Sequence, residues 1–256
     1  MKILLSNDDG VHASGILASK QAVDEYGDVF VVAPSTQQSG IGHALTLYEP
    51  IRMDEVNLRD GSLAYSVSGT PTDSVTMGIF EIMDQWPDLV ISGINTGQNT
   101  GKGELTTSGT LGAAMEAASL GIPTIAISQH VETEHIKFNE GHVEIDFSAS
   151  QIVLKNLVEK IIKKGFPKGI DILNVNVPTN PDSYDPIVST LATRMYWPFV
   201  EKRHDLRGKP YYWIDGNLYE GNPKDSDFYN LVNENKPTIT PLSLDMAKNL
   251  EEFKKW

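Results

Sequence analysis

The sequence of 256 residues contains no cysteine. This absence excludes disulfide bonds, thiolate zinc sites and cysteine nucleophiles, and it fits a protein of the reducing cytosol. The chain also lacks a basic N-terminal segment followed by an apolar run, so we expect no signal peptide. No apolar run approaches the roughly 20 residues that a membrane-spanning helix requires. We therefore expect a cytoplasmic protein with no membrane partner.

Basic residues are scarce in this chain. It has 21 Lys and Arg against 34 Asp and Glu, which gives a formal net charge of −13. Nucleic-acid binding depends on Lys and Arg that neutralise backbone phosphates, so we expect no nucleic-acid partner. A small phosphorylated ligand would be repelled as well, unless a bound divalent cation reversed the local field. The charge balance therefore favours a metal ion wherever this protein binds phosphate.

The first two thirds of the chain alternate apolar strand patterns with helical patterns. Such alternation is typical of an α/β fold with a mostly parallel sheet flanked by helices. Thr70, Pro71 and Asp73 form a good helix start, with a capping hydroxyl, a proline at the first position and an acid in the first turn. We predict strands at 2–6, 29–33, 45–53, 64–67, 89–92, 124–128 and 172–177, and helices at 14–26, 70–84, 108–120 and 148–164.

The C-terminal part has a different composition. Residues 196–229 contain 9 of the 21 aromatic residues. Between two aromatic stretches, residues 207–209 predict the tip of a β-hairpin, and an isolated hairpin is marginal in water. The hairpin should therefore pack either on a partner subunit or on the core of its own chain. We expect a last strand at 236–241, a terminal helix at 245–256, a catalytic core over 1–185 and a C-terminal oligomerisation extension over 186–256.

Two adjacent carboxylates follow the first predicted strand. Asp8 and Asp9 stand at the strand end, where ligands collect in open α/β sheets. They would repel each other unless a cation or a shared proton relieved them. Successive strand residues face opposite sides, and Gly10 permits the bend that lets both carboxylates reach one ion. A metal site is the simplest interpretation, and capping of the following helix is the alternative.

Two further segments could complete such a site. The cluster 92–97 places Asn95 at the end of another predicted strand, and Ser39-Gly40 lies in the loop after the second strand. The loop could bring a hydroxyl and a bare amide to a phosphate or a metal, although it also reads as an ordinary loop. Two carboxylates, an amide oxygen and a hydroxyl are hard ligands, which select Mg²⁺, Mn²⁺ or Ca²⁺ over zinc or copper.

The glycine-rich stretch 93–103 matches no nucleotide-binding fingerprint. Its glycines are spaced neither as in a P-loop nor as in the dinucleotide motif. We interpret it as a mobile loop that leads to a helix N-terminus at Thr107 and Ser108, where backbone N–H groups favour an anion such as phosphate. Ordinary N-capping by one of these two hydroxyls is the alternative.

Five segments of the chain form one ordered set. They are Asn7-Asp8-Asp9-Gly10, 34–40, 68–75, 92–101 and 108–116. Their order and spacing over about residues 1–130 resemble the SurE survival-protein nucleotidases. Asp227 and the segment 238–242 resemble the C-terminal signature of that family. The resemblance therefore covers most of the chain.

This resemblance implies a metal-dependent phosphomonoesterase that hydrolyses nucleoside 5′-monophosphates, with 3′-monophosphates as an additional substrate class. It implies a Rossmann-like core and a C-terminal extension exchanged between the subunits of a homodimer or homotetramer. It also implies one divalent ion per subunit, Mg²⁺ or Mn²⁺. The metal ligands carried over from the family motifs are Asp8, Asp9, Ser39 and Asn95.

The resemblance also assigns roles to the substrate-binding residues. Ser108 falls where the family places a phosphate-contacting hydroxyl, and Thr107 stands where the family commonly has Tyr, so we expect no aromatic contact there. We predict that Asp8, Asp9 and Ser108 are catalytic, with one of the two aspartates as base toward the attacking water; direct attack by an aspartate on the phosphoryl group is the alternative. The predicted substrate-binding residues are Ser39, Gly40, Asn95, Thr107, Ser108 and Gly109.

Two other functions stay open at this point. A phosphatase that acts on another small phosphate ester or on polyphosphate would keep the same site. A catalytically silent nucleotide-binding module would be expected to lose Asp8 or Asp9, and this chain has both.

Overall fold

The computed structural model describes residues 1–131, 145–247 and 250–256. Its strands are β1 (Lys2–Ser6), β2 (Asp28–Pro34), β3 (Met53–Asn57), β4 (Leu63–Val67), β5 (Leu89–Thr96), β6 (Thr124–Gln129), β7 (Ile172–Val177), β8 (Ile187–Val188), β9 (Tyr196–His204), β10 (Pro210–Leu218) and β11 (Thr238–Leu242). Within the described residues, nine of them form one mostly parallel sheet in the order β3-β4-β2-β1-β5-β6-β7-β11-β8, while β9 and β10 form a separate hairpin.

Helices cover both faces of this sheet. They are α1 (Ser14–Val23), α2 (Pro71–Met77), α3 (Gly101–Thr107), α4 (Gly109–Ser119), α5 (Ser148–Lys164), α6 (Asp227–Val232) and α7 (Leu250–Lys255). The helices α1 and α5 pack together on one face, and α2 packs on α4 on the other. The expected α/β fold with a mostly parallel, helix-flanked sheet is confirmed. In the described part of the chain, no helix has both the length and the apolar character needed to cross a membrane.

The side chains of β1 alternate between two hydrophobic cores. Ile3 and Leu5 are fully buried on the side of α1 and α5, and Leu4 is fully buried on the side of α2 and α4. A strand covered on both faces buries every side chain, which explains why its sequence is continuously apolar. Each such side chain contributes about 1.5–3 kcal/mol to the free energy of unfolding.

The order in which successive strands are added to the sheet reverses between β1 and β5. β1 pairs in parallel with β2 on one side and with β5 on the other. Such a reversal of strand order leaves a crevice beyond the carboxyl ends of the two strands, where α/β proteins bind their ligands. Ser6, the last residue of β1, lies opposite Ser92 in β5. Asp8, just after β1, and Asn95, near the end of β5, therefore belong to neighbouring strands.

Most predicted elements are confirmed, but the strand predicted at 45–53 is wrong. Residues 45–52 contain no strand, and β3 begins only at Met53. Leu47, which is 72% exposed, lies outside both cores. Pro50 has no N–H to donate to a strand ladder, which favours a loop at this point. Apolar residues alone therefore do not define a strand in this segment.

One predicted helix and one predicted loop differ in extent from the structure. The helix expected at 70–84 ends at Met77 and continues as a π-helical turn, Gly78–Ile82. Its start is as expected, because the Thr70 hydroxyl accepts from the Asp73 amide at 3.1 Å. The stretch 93–103 was expected as a mobile loop, but its last three residues begin the helix α3, Gly101–Thr107.

The C-terminal extension contributes to the main sheet. β11, close to the expected strand at 236–241, pairs antiparallel with β7, and β8 pairs parallel with β11. The terminal helix α7 is shorter than expected, since residues 245–247 are not helical and 248–249 lie outside the described residues. The division of the chain at residue 185 stays a prediction.

The predicted hairpin is present, with its turn at 205–209. β9 and β10 pair from Tyr196 opposite Leu218 to His204 opposite Pro210. Trp213 is 58% exposed and Ile214 is 81% exposed. Tyr196, at the base of the hairpin, packs on Met195 and Phe228, but most of the other apolar side chains of the hairpin face solvent. The structure therefore does not have the hairpin folded back along the core of its own chain.

Candidate active site

A cleft of about 220 Å³ lies at the carboxyl ends of β1 and β5. Six of the eight predicted site residues line it, and Asp9 and Gly109 adjoin it. The predicted site is therefore a single place in the fold, built from the segments that follow β1 and β2 and from the end of β5 with the helices after it. The lining residues are Asp8, Ser39, Gly40, Asn95, Gly97, Gln98, Asn99, Glu104, Thr107, Ser108, Val131 and Met195.

A tight turn after β1 positions the two aspartates. The Asn7 side chain closes it, since Asn7 Nδ2 donates to Gly10 O at 3.0 Å and Asn7 Oδ1 accepts from Gly10 N at 3.1 Å. Gly10 has a φ of +100°, a backbone conformation that residues with a Cβ rarely adopt. The bend expected from the Gly10 position is therefore present, and Asp8 and Asp9 lie in it, just after the end of β1.

Asp8 is buried and is fixed by the first turn of α4. The Thr110 hydroxyl donates to Asp8 Oδ1 at 2.6 Å. Gly109 lies directly against the same side chain, because a Cβ built on this glycine would lie 2.7 Å from the Asp8 Cβ and 3.0 Å from Oδ2. The structure thus gives Gly109 a steric reason to be glycine, and Thr110 is a site residue that the sequence analysis missed.

Asp9 is half-buried and faces the end of β5. The Thr96 backbone N–H donates to Asp9 Oδ2 at 2.8 Å, and the Gln37 amide lies 3.5 Å from Oδ1. This bond ties the aspartate to the residue that follows Asn95. The two carboxylates therefore contact different neighbours although they are adjacent in sequence.

Asn95 reaches the cleft through an irregularity in β5. The pairing of β5 with β6 shifts between Ser92 and Asn95, as in a β-bulge, and bulges often re-aim a side chain beside an active site. Asn95 Nδ2 donates to Gly97 O at 2.6 Å, so the amide oxygen is the atom suited to a metal. The residue is 2% exposed, which fits a fixed ligand rather than a surface amide.

The loop after β2 carries Ser39 and Gly40 to the open side of the cleft. The Gln38 backbone N–H donates to Asp8 O at 2.7 Å, which fastens this loop to the turn after β1. Ser39 Oγ accepts from Gln37 Nε2 at 3.0 Å. Both Ser39 and Gly40 are exposed, so their hydroxyl and amide groups are accessible to a ligand.

Ser108 both caps a helix and lines the cleft. Its Oγ accepts from the Leu111 N–H at 3.2 Å at the start of α4. The neighbouring Thr107 side chain donates to Gly103 O at 3.3 Å within α3. The N-capping alternative is thus correct for Ser108, and it does not conflict with a phosphate contact, because the N-terminus of α4 faces the same cleft.

A buried amide network supports the floor of the cleft. The Asn99 N–H donates to Asn176 Oδ1 at 2.7 Å, and Asn99 Nδ2 donates to Ser128 Oγ at 2.9 Å. The Asn99 carbonyl in turn accepts from Asn174 Nδ2 at 2.9 Å. These polar residues of β6 and β7 were predicted only as strand positions. Polar residues within an otherwise apolar strand are the sequence signal that could have identified them.

Asp227 anchors the C-terminal part to the cleft. Its carboxylate accepts backbone hydrogen bonds from Gly101 at 2.9 Å, Ala192 at 2.8 Å and Phe228 at 2.8 Å. Burial raises the pKa of this carboxyl, while the three hydrogen bonds act in the opposite direction. Asp227 therefore joins the start of α3 to the segment that brings Met195 into the cleft.

The donor chemistry of the cleft fits a hard divalent cation. Asp8, Asp9, Asn95 and Ser39 all offer oxygen, and they lie on three connections that meet at one point. Among the described residues no group of three or more His, Cys, Asp and Glu could hold a metal ion. A set of two carboxylates, an amide and a hydroxyl suits Mg²⁺ or Mn²⁺ better than a metal that prefers nitrogen or sulfur.

Comparison with known proteins gives one family over nearly the whole chain. The model of the survival protein SurE family matches residues 3–198. The 5′-nucleotidase SurE of Methanobrevibacter smithii is 57% identical over 256 residues, which are 100% of this chain and 99% of that protein. The 5′-nucleotidase SurE of Methanothermobacter thermautotrophicus is 56% identical over 228 residues, which are 89% and 85% of the two chains.

A solved structure agrees with these sequence relatives. The crystal structure of the SurE protein from Aquifex aeolicus superposes with a TM-score of 0.80 at 35% identity, and the match covers 100% of this chain and 99% of that one. Fold, motif order and sequence identity all lead to the same assignment. The chain belongs to the SurE family of survival proteins.

Proposed function

We propose that this protein is a metal-dependent 5′-nucleotidase that hydrolyses nucleoside 5′-monophosphates to nucleoside and phosphate. The observation that carries the proposal is the meeting of Asp8, Asn95, Ser39 and Ser108 in one cleft. The names of the two archaeal relatives, both 5′-nucleotidases, support the reaction class. Nucleoside 3′-monophosphates are the second substrate class to test.

Four residues would hold one divalent ion per subunit, Mg²⁺ or Mn²⁺, namely Asp8, Asp9, Ser39 and Asn95. When bound, the ion supplies positive charge that polarises the phosphoryl group and acidifies water. The Thr110 and Thr96 hydrogen bonds hold the two carboxylates in place. In our proposal one of the two aspartates accepts the proton of the attacking water on a carboxylate oxygen.

The phosphate would lie against the N-terminus of α4. The Ser108 hydroxyl and the backbone N–H of Gly109 face developing negative charge there, and the helix dipole favours it. Thr107 and Gly40 line the same cleft from the two sides. Preorganised donors of this kind stabilise the transition state more than the substrate, which is how these residues would raise kcat.

A bound divalent ion would also reduce the electrostatic repulsion between this acidic protein and a phosphorylated substrate. With a net charge of −13, the protein repels a nucleotide at long range. A divalent ion held by Asp8 and Asp9 would place positive charge at the point where phosphate binds. Metal dependence is therefore part of the proposal for substrate binding as well as for chemistry.

We also propose a homodimer or homotetramer in which the C-terminal extension is exchanged between subunits. The exposed apolar side chains of the hairpin, including Trp213 and Ile214, form a surface that a monomer would leave in water. A contact around a two-fold axis would bury the same residues on both subunits. A cytoplasmic location stays a prediction.

A substrate panel tests the proposed reaction. Phosphate release is measured with nucleoside 5′-monophosphates, nucleoside 3′-monophosphates, sugar phosphates and polyphosphate, each with added Mg²⁺ or Mn²⁺. We expect the highest kcat/KM for 5′-mononucleotides. A higher kcat/KM for a sugar phosphate or polyphosphate would contradict the nucleotidase proposal, and binding of nucleotide without turnover would indicate a silent module.

A further inference from the structure

The segment that carries Ser39 and Gly40 has little packing of its own. Residues 39–41, which we call the arch, are exposed. A Cβ built on Gly40 would meet nothing within 4 Å in the described part of the chain beyond its own chain neighbours. The Ser39 hydroxyl accepts from Gln37, which is itself exposed in the same loop. The place of Ser39 therefore depends on how the chain is attached on either side of the arch.

Backbone hydrogen bonds attach the arch at both ends. On one side the Gln38 N–H donates to Asp8 O at 2.7 Å, in the turn that carries the two aspartates. On the other side the Gly42 N–H donates to Thr107 O at 2.9 Å, directly before the N-cap of α4. The arch thus runs from the turn after β1 to the start of α4.

The attachment at Gly42 lies directly on the backbone of α4. A Cβ built on Gly112 would lie 2.2 Å from Gly42 O, so a glycine at this position lets the two backbones approach each other. Beside this contact, His43 Nε2 lies 2.9 Å from Glu116 Oε2, a hydrogen bond in which the ring N–H donates to the carboxylate. Because Gly112 has no side chain to pack against the loop, we expect the His43–Glu116 bond to hold the loop on this helix.

The helix α4 also fixes another part of the proposed metal site. Its first turn holds Asp8 through Thr110, and its N-cap Ser108 lines the cleft. Glu116 lies on the same helix, about 12 Å from Ser108 at 1.5 Å per residue. Neither His43 nor Glu116 is among the residues that line the cleft. They would therefore act on the site through the arch and not by contact with a ligand.

We propose that His43 and Glu116 are positioning residues that hold Ser39 in place for the divalent ion. This inference rests on the proposed function. One helix would then fix two ligands, since α4 holds Asp8 through its first turn and Ser39 through the arch. A ligand that is already in place loses less conformational freedom when the ion binds, so the His43–Glu116 bond should raise the affinity for metal.

Hydrogen–deuterium exchange in the metal-free full chain tests the attachment itself. We expect His43→Ala to increase exchange at the Gly42 amide by about three- to tenfold, the contribution of one hydrogen bond to a local equilibrium. The Gln38 amide, at the other end of the arch, should keep its wild-type rate. His43 is exposed, so this variant should fold. Unchanged exchange at Gly42 would overturn the inference whether or not the protein binds metal or hydrolyses nucleotides.

Calorimetric titration with Mn²⁺ measures the effect on metal affinity without any turnover. We expect His43→Ala and Glu116→Ala each to raise the Kd of Mn²⁺ about tenfold, the lower end of the effect of residues that support a ligand. The double variant should have the same Kd as either single variant, because both changes remove one bond. Glu116→Gln keeps an acceptor oxygen for the His43 ring and should stay close to the wild type. A wild-type Kd in both alanine variants would overturn the inference, and so would additive losses in the double variant.

A Ser39→Ala background separates the positioning role from a general effect on the fold. If the His43–Glu116 bond acts through Ser39, His43→Ala should cause no further loss of Mn²⁺ affinity in a chain that lacks this hydroxyl. A further tenfold loss would show that His43 acts on other ligands or on the fold as a whole, and it would contradict the proposal.

The matched control is Tyr26→Phe, which removes a 2.9 Å hydrogen bond to the Glu159 carboxylate of α5, on the other face of the sheet. It should leave both the Mn²⁺ affinity and the exchange at Gly42 at their wild-type values. A wild type that binds no Mn²⁺ would overturn the proposed metal site and this inference with it. Mn²⁺ binding that is insensitive to the His43 change would overturn this inference alone.

Discussion

The Thr110 hydroxyl donates a 2.6 Å hydrogen bond to the Asp8 carboxylate. Both side chains are buried, with Thr110 at 0% and Asp8 at 4% exposure. The bond joins the first turn of α4 to the turn after β1, which are far apart in sequence. The orientation of the proposed metal ligand Asp8 therefore depends on a residue that does not itself line the cleft.

Thr110→Val tests this dependence at nearly constant volume. Loss of the hydroxyl leaves Asp8 without its buried donor, and changes in such supporting residues typically lower metal affinity or activity about 10- to 100-fold. We expect kcat/KM for a nucleoside 5′-monophosphate to fall by that factor and the Mg²⁺ concentration for half-maximal activity to rise. The control is Thr76→Val in α2, whose hydroxyl donates to Thr72 O at 3.1 Å. Unchanged metal dependence in Thr110→Val would contradict the role of this bond.

Gly109→Ala tests the close approach of α4 to Asp8. An added Cβ would lie 2.7 Å from the Asp8 Cβ, so the carboxylate has to move. We expect kcat to fall. Expressed as an activation free energy, this loss should be larger than the loss in the free energy of unfolding. Gly103→Ala, in α3, is the matched control because an added Cβ there meets nothing within 4 Å. Equal activity of the two alanine variants would show that the Asp8 position tolerates this shift.

Ser108→Ala separates the two roles that the structure gives this residue. Loss of the N-cap should cost about 1 kcal/mol of stability. Loss of a donor to the transferring phosphoryl group should lower kcat by about 10²- to 10³-fold. Ser226→Ala removes a comparable cap, since Ser226 Oγ accepts from the Tyr229 N–H at 3.3 Å at the start of α6. A stability loss in both variants with normal kcat in Ser108→Ala would leave the residue with its capping role alone.

The exposed hairpin surface makes the proposed assembly testable. A double change, Trp213→Ser with Ile214→Ser, removes two of its most exposed apolar side chains without touching Asp227 or Met195, which support the cleft. We expect multi-angle light scattering to report a monomer, because the apolar contact area would be lost. Trp86→Ser serves as the control, since Trp86 is a similarly exposed tryptophan elsewhere on the surface. A double variant that keeps the wild-type oligomeric mass would place the interface outside the hairpin.

The sheet and the place where the proposed metal ligands meet could be predicted because they depend on local patterns. An apolar strand followed by Asp8-Asp9-Gly10 specifies a strand end with a bend, and parallel pairing brings the end of β5 beside it. The alternation of strands and helices was enough to place both ends at one edge of the sheet. The ligand roles themselves came from the resemblance and stay predictions.

The outer half of the cleft could not be predicted, because it depends on contacts between distant segments. The stretch that forms α3 contains Gly101 and Gly103 and reads as a loop, since glycine disfavours a helix. Asp227, more than 100 residues later, accepts from the Gly101 N–H and fixes the start of that helix. No local pattern indicates that Glu104 and Met195 line the same cleft.

The failed strand prediction at 45–53 has a related cause. Alternating apolar residues predicted a strand there, yet Leu45 and Leu47 are exposed. The segment is instead held by side-chain bonds to α2, where Asp73 Oδ1 accepts from the Thr46 N–H at 3.1 Å and the Thr70 hydroxyl donates to Ala44 O at 2.7 Å. Such side-chain bonds satisfy the backbone of a loop without a strand ladder.

Phosphate release from a nucleoside 5′-monophosphate, measured before and after removal of divalent cations, tests the central claim most directly. We expect excess EDTA to abolish activity and Mg²⁺ or Mn²⁺ to restore it, because Asp8, Asp9, Ser39 and Asn95 would then hold the ion again. Asp8→Asn should remain at least about 10²-fold less active at saturating metal, since it removes a charge from the ligand set. Full activity of the wild type in excess chelator, or of Asp8→Asn with metal, would contradict the account.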